Sequence, residues 1–182
     1  MTATHTARDV PPAPGPKPPA PSIAYIRLIA FVVGAASLGA EISAARLLAP
    51  YFGASTIIWA NTIATVLVAL SAGYWLGGRI ADRRSDLWGL CAIVMVAAAL
   101  LSLVPIAADP FLRLSVKALG SLSVGGFLGS LVGVLVLVAV PVLLLGTVAP
   151  YANRLSLGRV TDTGTVTGNL YAISTAGSLV GT

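Results

Sequence analysis

Between Arg46 and Arg79 the chain runs 32 residues without a charge. Leu87 to Ala108 and Phe127 to Pro150 are equally uncharged. Runs of this length, without polar alternation, are the pattern of transmembrane helices, which need about 20 apolar residues to cross about 30 Å of hydrocarbon. In lipid every backbone group needs an internal partner, so a spanning segment is a helix or part of a closed barrel. Composition agrees. Of 182 residues, 57% are hydrophobic and 9% charged, with mean hydropathy +0.92, whereas a soluble domain carries about 25% charged residues. The expectation is an all-α, polytopic helical membrane bundle with a lipid bilayer as its partner.

Four full spans are predicted, at about 25–48, 55–78, 87–108 and 127–150, with a turn at Pro50–Gly53. A fifth is predicted at 169–182, capped by Asn169. From Leu170 onward it reaches only about 20 Å, too short to cross, so it reads as incomplete. Residues 1–22, rich in proline and alanine, read as a disordered tail with polyproline character rather than a signal peptide. Residues 109–119 read as a separate amphipathic helix lying in the membrane interface. Asp109 is its expected cap, Pro110 its first turn and Gly120 its end. Phe111, Leu112, Ser115, Val116 and Leu119 share its apolar face, opposite Arg113 and Lys117.

Arginine and lysine set the expected orientation. Arg8, Lys17, Arg27, Arg79, Arg83, Arg84, Arg154 and Arg159 fall on one side; Arg113 and Lys117 fall on the other, with Arg46 nearby. The bias predicts a plasma-membrane protein with its N-terminus in the cytoplasm. The net charge of +5 sits at helix ends rather than along a soluble face, so no nucleic-acid partner is expected. Trp59, Tyr74, Trp75 and Trp88 read as interfacial belt residues.

Glu41 stands out. A carboxylate inside a span is expensive and implies a function or a partner. Arg46 lies five residues away, about 140° around the helix, so the two do not share a face. Glu41 shares its face with Gly34, Ser37, Leu38, Ala44 and Ala45, small residues suited to close helix packing. The candidate polar cluster is Glu41, Arg46, Asn61 and Thr65. A bland alternative wets Glu41 at the outer boundary, with Arg46 reaching the headgroups. Asn61 alone reads as interhelical glue. Gly73 and Gly77 on span two, and Gly129 and Gly133 on span four, are expected helix-packing positions, with Pro141 as a kink. Arg79, Asp82, Arg83 and Arg84 form a candidate charge network with a neighbouring helix end.

No catalytic residue emerges. One cysteine, Cys91, and one histidine, His5, make no metal cluster. There is no nucleophile with a paired base. Gly164 and Gly168 do not make a phosphate-binding turn, so no cofactor is expected in this chain.

Four blocks, "EISAARLLAPYFG", "GYWLGGRIADRR", "LLLGTVAPYANRL" and "GNLYAISTAGSLVGT", resemble in order and wording the membrane domain of spermidine synthase-like proteins, also called fused major-facilitator/spermidine synthase proteins. The likeness covers about Ile23 to Thr182, and its most specific part is Arg46 to Tyr51. It implies further spans and a cytoplasmic aminopropyltransferase domain of polyamine biosynthesis. This sequence ends before any such domain, so no catalytic residue carries over. The expected partner is a separate or missing C-terminal membrane and catalytic part, or a second copy of the chain. Three functions remain open: a membrane anchor for that catalytic part, a transporter-like half-bundle binding a cation or polyamine at Glu41, and a truncated inactive product.

Overall fold

The computed structural model describes residues 22–119, 124–157 and 163–182. The expected tail, apart from Ser22, lies outside them, as do Gly120 and Arg159. Six helices follow one another: α1 Ile23–Phe52, α2 Thr56–Arg83, α3 Leu87–Leu119, α4 Gly125–Leu137, α5 Ala139–Leu157 and α6 Thr163–Val180. The described chain is thus an all-helical bundle. α1, α2 and α3 are long and apolar enough to cross a membrane, and α4 with α5 makes a fourth crossing if the bent pair counts as one span.

Helix starts follow local chemistry. The Ser22 and Ser55 side chains accept from the backbone N–H groups of Tyr25 and Ile58, capping α1 and α2. α1 ends at Gly53, whose φ of 85° suits a residue without Cβ and lets its N–H reach Ala49 O at 2.9 Å. Pro50 lies inside the last turn, so the expected turn at Pro50–Gly53 moves to Gly53–Ser55.

Three expected boundaries are corrected. The amphipathic helix at 109–119 is not separate: α3 runs 33 residues through Pro105 and Pro110. Asp109 is therefore mid-helix and caps nothing. An Asp-Pro step reads as a helix start, but packing against neighbouring helices tolerates proline within a span. Leu112 and Ser115 on its apolar face are buried, and Leu112 packs beside Gly133 of α4. That face rests on the bundle instead of on the membrane interface.

The expected span at 127–150 is broken at Val138, where α4 and α5 meet at 51°. Pro141 has no N–H to offer the Leu137 carbonyl one turn back, and the break falls in that turn. The last helix begins at Thr163, so Asn169 is an exposed interior residue instead of a cap. At 18 residues α6 is about 27 Å long, longer than expected.

Two seams of small residues hold the bundle, and in each the paired helices run parallel. In the first, a Cβ on Gly73 would collide with the Leu143 carbonyl, and one on Gly77 would meet Thr147 Cα at 2.6 Å. Gly146 closes the seam from α5, with Leu70 Cα 3.2 Å from where its Cβ would be. In the second, Gly34 of α1 abuts the backbone of Ser174, while Gly177 of α6 and Gly181 just after it abut Phe31 and Ala35. Bare backbones touching over such lengths gain dispersion contacts that lipid cannot match. Gly129 and Gly133 differ: they make room for the side chains of Phe52, Leu112 and Leu48 rather than for a backbone.

Candidate functional site

Glu41 sits on α1 about 5 Å beyond the midpoint of a 30-residue helix. The seam between α1 and α6 stops just short of it, at the contact of Gly39 with Gly181, and a cavity of about 180 Å³ lies alongside. Ser37 and Glu41 from α1, Tyr74 from α2, Gly146 from α5, and Ser174 and Ser178 from α6 contribute to its wall. The Ser178 hydroxyl is within 3.0 Å of the Gly34 carbonyl and 3.1 Å of the Ser174 carbonyl, which ties α6 to α1 about two helical turns before Glu41. Glu41 is half-buried.

The four residues of the expected polar cluster do not meet. Among the described residues the side-chain ion pairs are Arg113–Asp109 and Arg154–Asp82, and Glu41 belongs to neither. Arg46 is exposed. Asn61 faces α4: its Nδ2 donates to Phe127 O and to Ser130 Oγ, both at 3.1 Å. Thr65 is buried and lines an apolar groove against α4 and α5. Both residues point away from α1 because α2 presents Leu70 and Tyr74, not its first turns, to the Glu41 cavity. Asn61 is glue between α2 and α4. Asn61→Ala is expected to cost about 1 kcal/mol, read by unfolding in mixed detergent–SDS micelles; an unchanged midpoint contradicts the bonding scheme.

At the arginine-rich end, Asp82 alone of the four expected network residues joins an ion pair among the described residues. Its carboxylate lies 3.8 Å from Arg154 in the last turn of α5, with both groups exposed. Such a pair contributes little. Arg79 lies over the Trp75 ring, 4.6 Å from its centroid. Arg83 and Arg84 are exposed and form no ion pair with described residues.

The sequence reading missed two tyrosine latches. Tyr51 and Tyr151 both end an Ala-Pro-Tyr tripeptide, 100 residues apart. The Tyr51 hydroxyl bonds the Asp109 carboxylate, which also accepts from Arg113 Nε at 2.9 and 3.0 Å. The Tyr151 hydroxyl lies 3.2 Å from both the carbonyl and Oδ1 of Asp86 and accepts from its N–H at 3.3 Å. Asp86 in turn accepts from Gly89 N–H at 2.9 Å and caps α3. One latch therefore holds the start of α3 and the other holds its interior at Asp109. The repeated tripeptide was the available signal. Ser174 and Ser178 were missed as well; their spacing of four, interleaved with Gly177 and Gly181, was the clue.

Two larger hollows have mainly aliphatic walls. One of about 350 Å³ lies between α1, α3 and the α4–α5 bend, and the groove beside Thr65 measures about 550 Å³. Neither holds a charged group. No family model, curated protein or solved structure matches the chain.

Proposed function

We propose that the chain is a membrane-embedded bundle that binds a small cation at Glu41, as a transporter-like half-bundle would. One observation carries this reading: Glu41, near the middle of an apolar helix long enough to cross a membrane, lines a cavity whose wall also includes the hydroxyl-bearing residues Ser37, Tyr74, Ser174 and Ser178, with no cationic side chain paired to it among the described residues. An ionised carboxylate there costs about 3 kcal/mol. A cation 4 Å away returns about 4 kcal/mol at an effective dielectric of 20, and hydroxyl oxygens can complete its coordination. The cavity is smaller than the roughly 300–1,000 Å³ of pockets that hold drug-sized ligands. A metal ion or small ammonium suits it better than an extended polyamine. Arg79, Arg83, Arg84 and Arg154 at one end support a cytoplasmic N-terminus in a plasma membrane.

The test uses the native chain in lipid nanodiscs, with sodium, potassium and methylammonium as probes. At 100 times its dissociation constant, a bound cation stabilises the fold by about 2.7 kcal/mol. At least one probe is expected to raise the unfolding midpoint saturably, and Glu41→Gln to remove that rise. The proposal fails if no probe acts, or if Glu41→Gln responds like the native chain.

The anchoring role of a spermidine synthase-like membrane domain is the second reading. It is favoured by where the four resembling blocks fall: Tyr51, Gly73, Gly77, Tyr151 and Gly177 all make interhelical contacts. On that reading the blocks build a scaffold, and Glu41→Gln leaves assembly with a catalytic partner unchanged.

A further inference from the structure

We propose that the groove between α2 and the α4–α5 bend binds an anionic phospholipid, with an acyl chain along the groove and the phosphate on Arg79 and Arg83. The groove measures about 550 Å³ and extends along α2 from Ala64 to Ala72. It faces outward: Val68, Leu135 and Val140 on its wall are each more than half exposed. Positions three or four apart on a helix share a stripe. Val68, Ala72, Trp75, Arg79 and Arg83 follow those steps. Trp75 and both arginines are exposed and continue the stripe that lines the groove. Arg79 rests over the Trp75 ring, 4.6 Å from its centroid.

Depth and charge both select the occupant. The stripe passes from aliphatic side chains to a tryptophan and then to arginines, the order in which hydrocarbon, interface and headgroups follow one another. With Trp75 at the interface, Ala64 lies about 16 Å deeper along the helix. One leaflet is about 15 Å deep, half of an about 30 Å hydrocarbon core, so the groove reaches as far as a lipid chain does. Neither Arg79 nor Arg83 forms an ion pair among the described residues, and Asp82, the one acid on α2, is paired with Arg154. Guanidinium groups bind phosphate oxygens through paired hydrogen bonds. A zwitterionic lipid brings its own cation next to that phosphate, which opposes the arginines; an anionic lipid does not.

The test weighs the full chain intact by native mass spectrometry in uncharged detergent, titrated with phosphatidylglycerol and phosphatidylcholine of matched chains. Phosphatidylglycerol is expected to bind at least about tenfold more tightly, since each arginine beside an anionic headgroup contributes about fivefold. Arg79→Gln should lose about fivefold of that affinity. Arg84→Gln should keep it, because Arg84 follows α2 in extended backbone and leaves the stripe. Ala72→Phe, which narrows the groove, should weaken both lipids, and glycerol 3-phosphate, a headgroup without chains, should displace neither. Equal affinity of the native chain for the two lipids overturns the proposal with no variant needed. Equal losses from Arg79→Gln and Arg84→Gln overturn it, as do displacement by glycerol 3-phosphate and unchanged binding in a folded Ala72→Phe. A lipid-free dimer that Ala72→Phe disperses gives the groove to a second copy and overturns it too. The groove and the Glu41 cavity share no lining residue, so this result and the cation experiment fail separately.

Discussion

Gly73→Leu is expected to be the most damaging single substitution in the bundle, costing about 3 kcal/mol or more. The added Cβ would run into the Leu143 carbonyl and come within 3.0 Å of Gly146 Cα. Both obstacles are backbone, so neither can rotate aside. α2 and α5 would have to separate along the seam, giving up the close contact that lipid cannot replace. Gly78, five residues on, has open space where its Cβ would be. Gly78→Leu is therefore the control and should stay within about 0.5 kcal/mol of the native chain. Unfolding in mixed micelles measures both. Equal midpoints for the two variants would refute the seam as the main support of this helix pair.

The second large effect separates two tyrosines that share a tripeptide. Tyr151 is only 1% exposed and packs with Leu90, Ala97 and Val148. Truncating an aromatic side chain at such a site costs about 3–5 kcal/mol. Tyr151→Ala also strips Asp86, the cap of α3, of its hydroxyl partner. Tyr51 is half-buried, and its bond to Asp109 is exposed and shared with Arg113. Tyr51→Ala is expected to cost about 1 kcal/mol, as for an exposed polar contact. Phenylalanine at either position isolates the hydroxyl: Tyr151→Phe should retain most of the packing and lose about 1 kcal/mol. If Tyr51→Ala proves as harmful as Tyr151→Ala, burial is not what distinguishes the two latches.

Much of the fold was legible because hydrophobicity is a one-dimensional signal. The uncharged runs placed the starts of α1, α2, α3 and α4 to within two residues, while α3 runs 11 residues past its expected end. The glycine ladder at Gly73 and Gly77 predicted a close helix contact, and the face around Gly34 and Ser37 predicted another. Errors came where a local rule competed with packing. Asp109–Pro110 has the chemistry of a helix start, yet α3 passes through it because Tyr51 and Arg113 engage the aspartate and Leu112 is buried against α4. Asn169 has the chemistry of a cap, yet Thr163 already begins the helix.

The site was less legible than the fold. The sequence singled out Glu41 as a charge that needs an explanation, since an acid in hydrocarbon is costly whatever surrounds it. It chose the wrong companions, Arg46, Asn61 and Thr65, because polarity along a chain does not say which helix faces which. That choice is made by three-dimensional contact: the glycines of α6 dock on α1 and those of α2 dock on α5, and together these seams put Tyr74, Ser174 and Ser178 on the wall of the cavity that Glu41 also lines. The sequence by itself determined the solvent, the helices and the one carboxylate out of place. Only the tertiary structure decided its neighbours, because backbone contacts between helices distant in the chain set each helix's rotation about its axis.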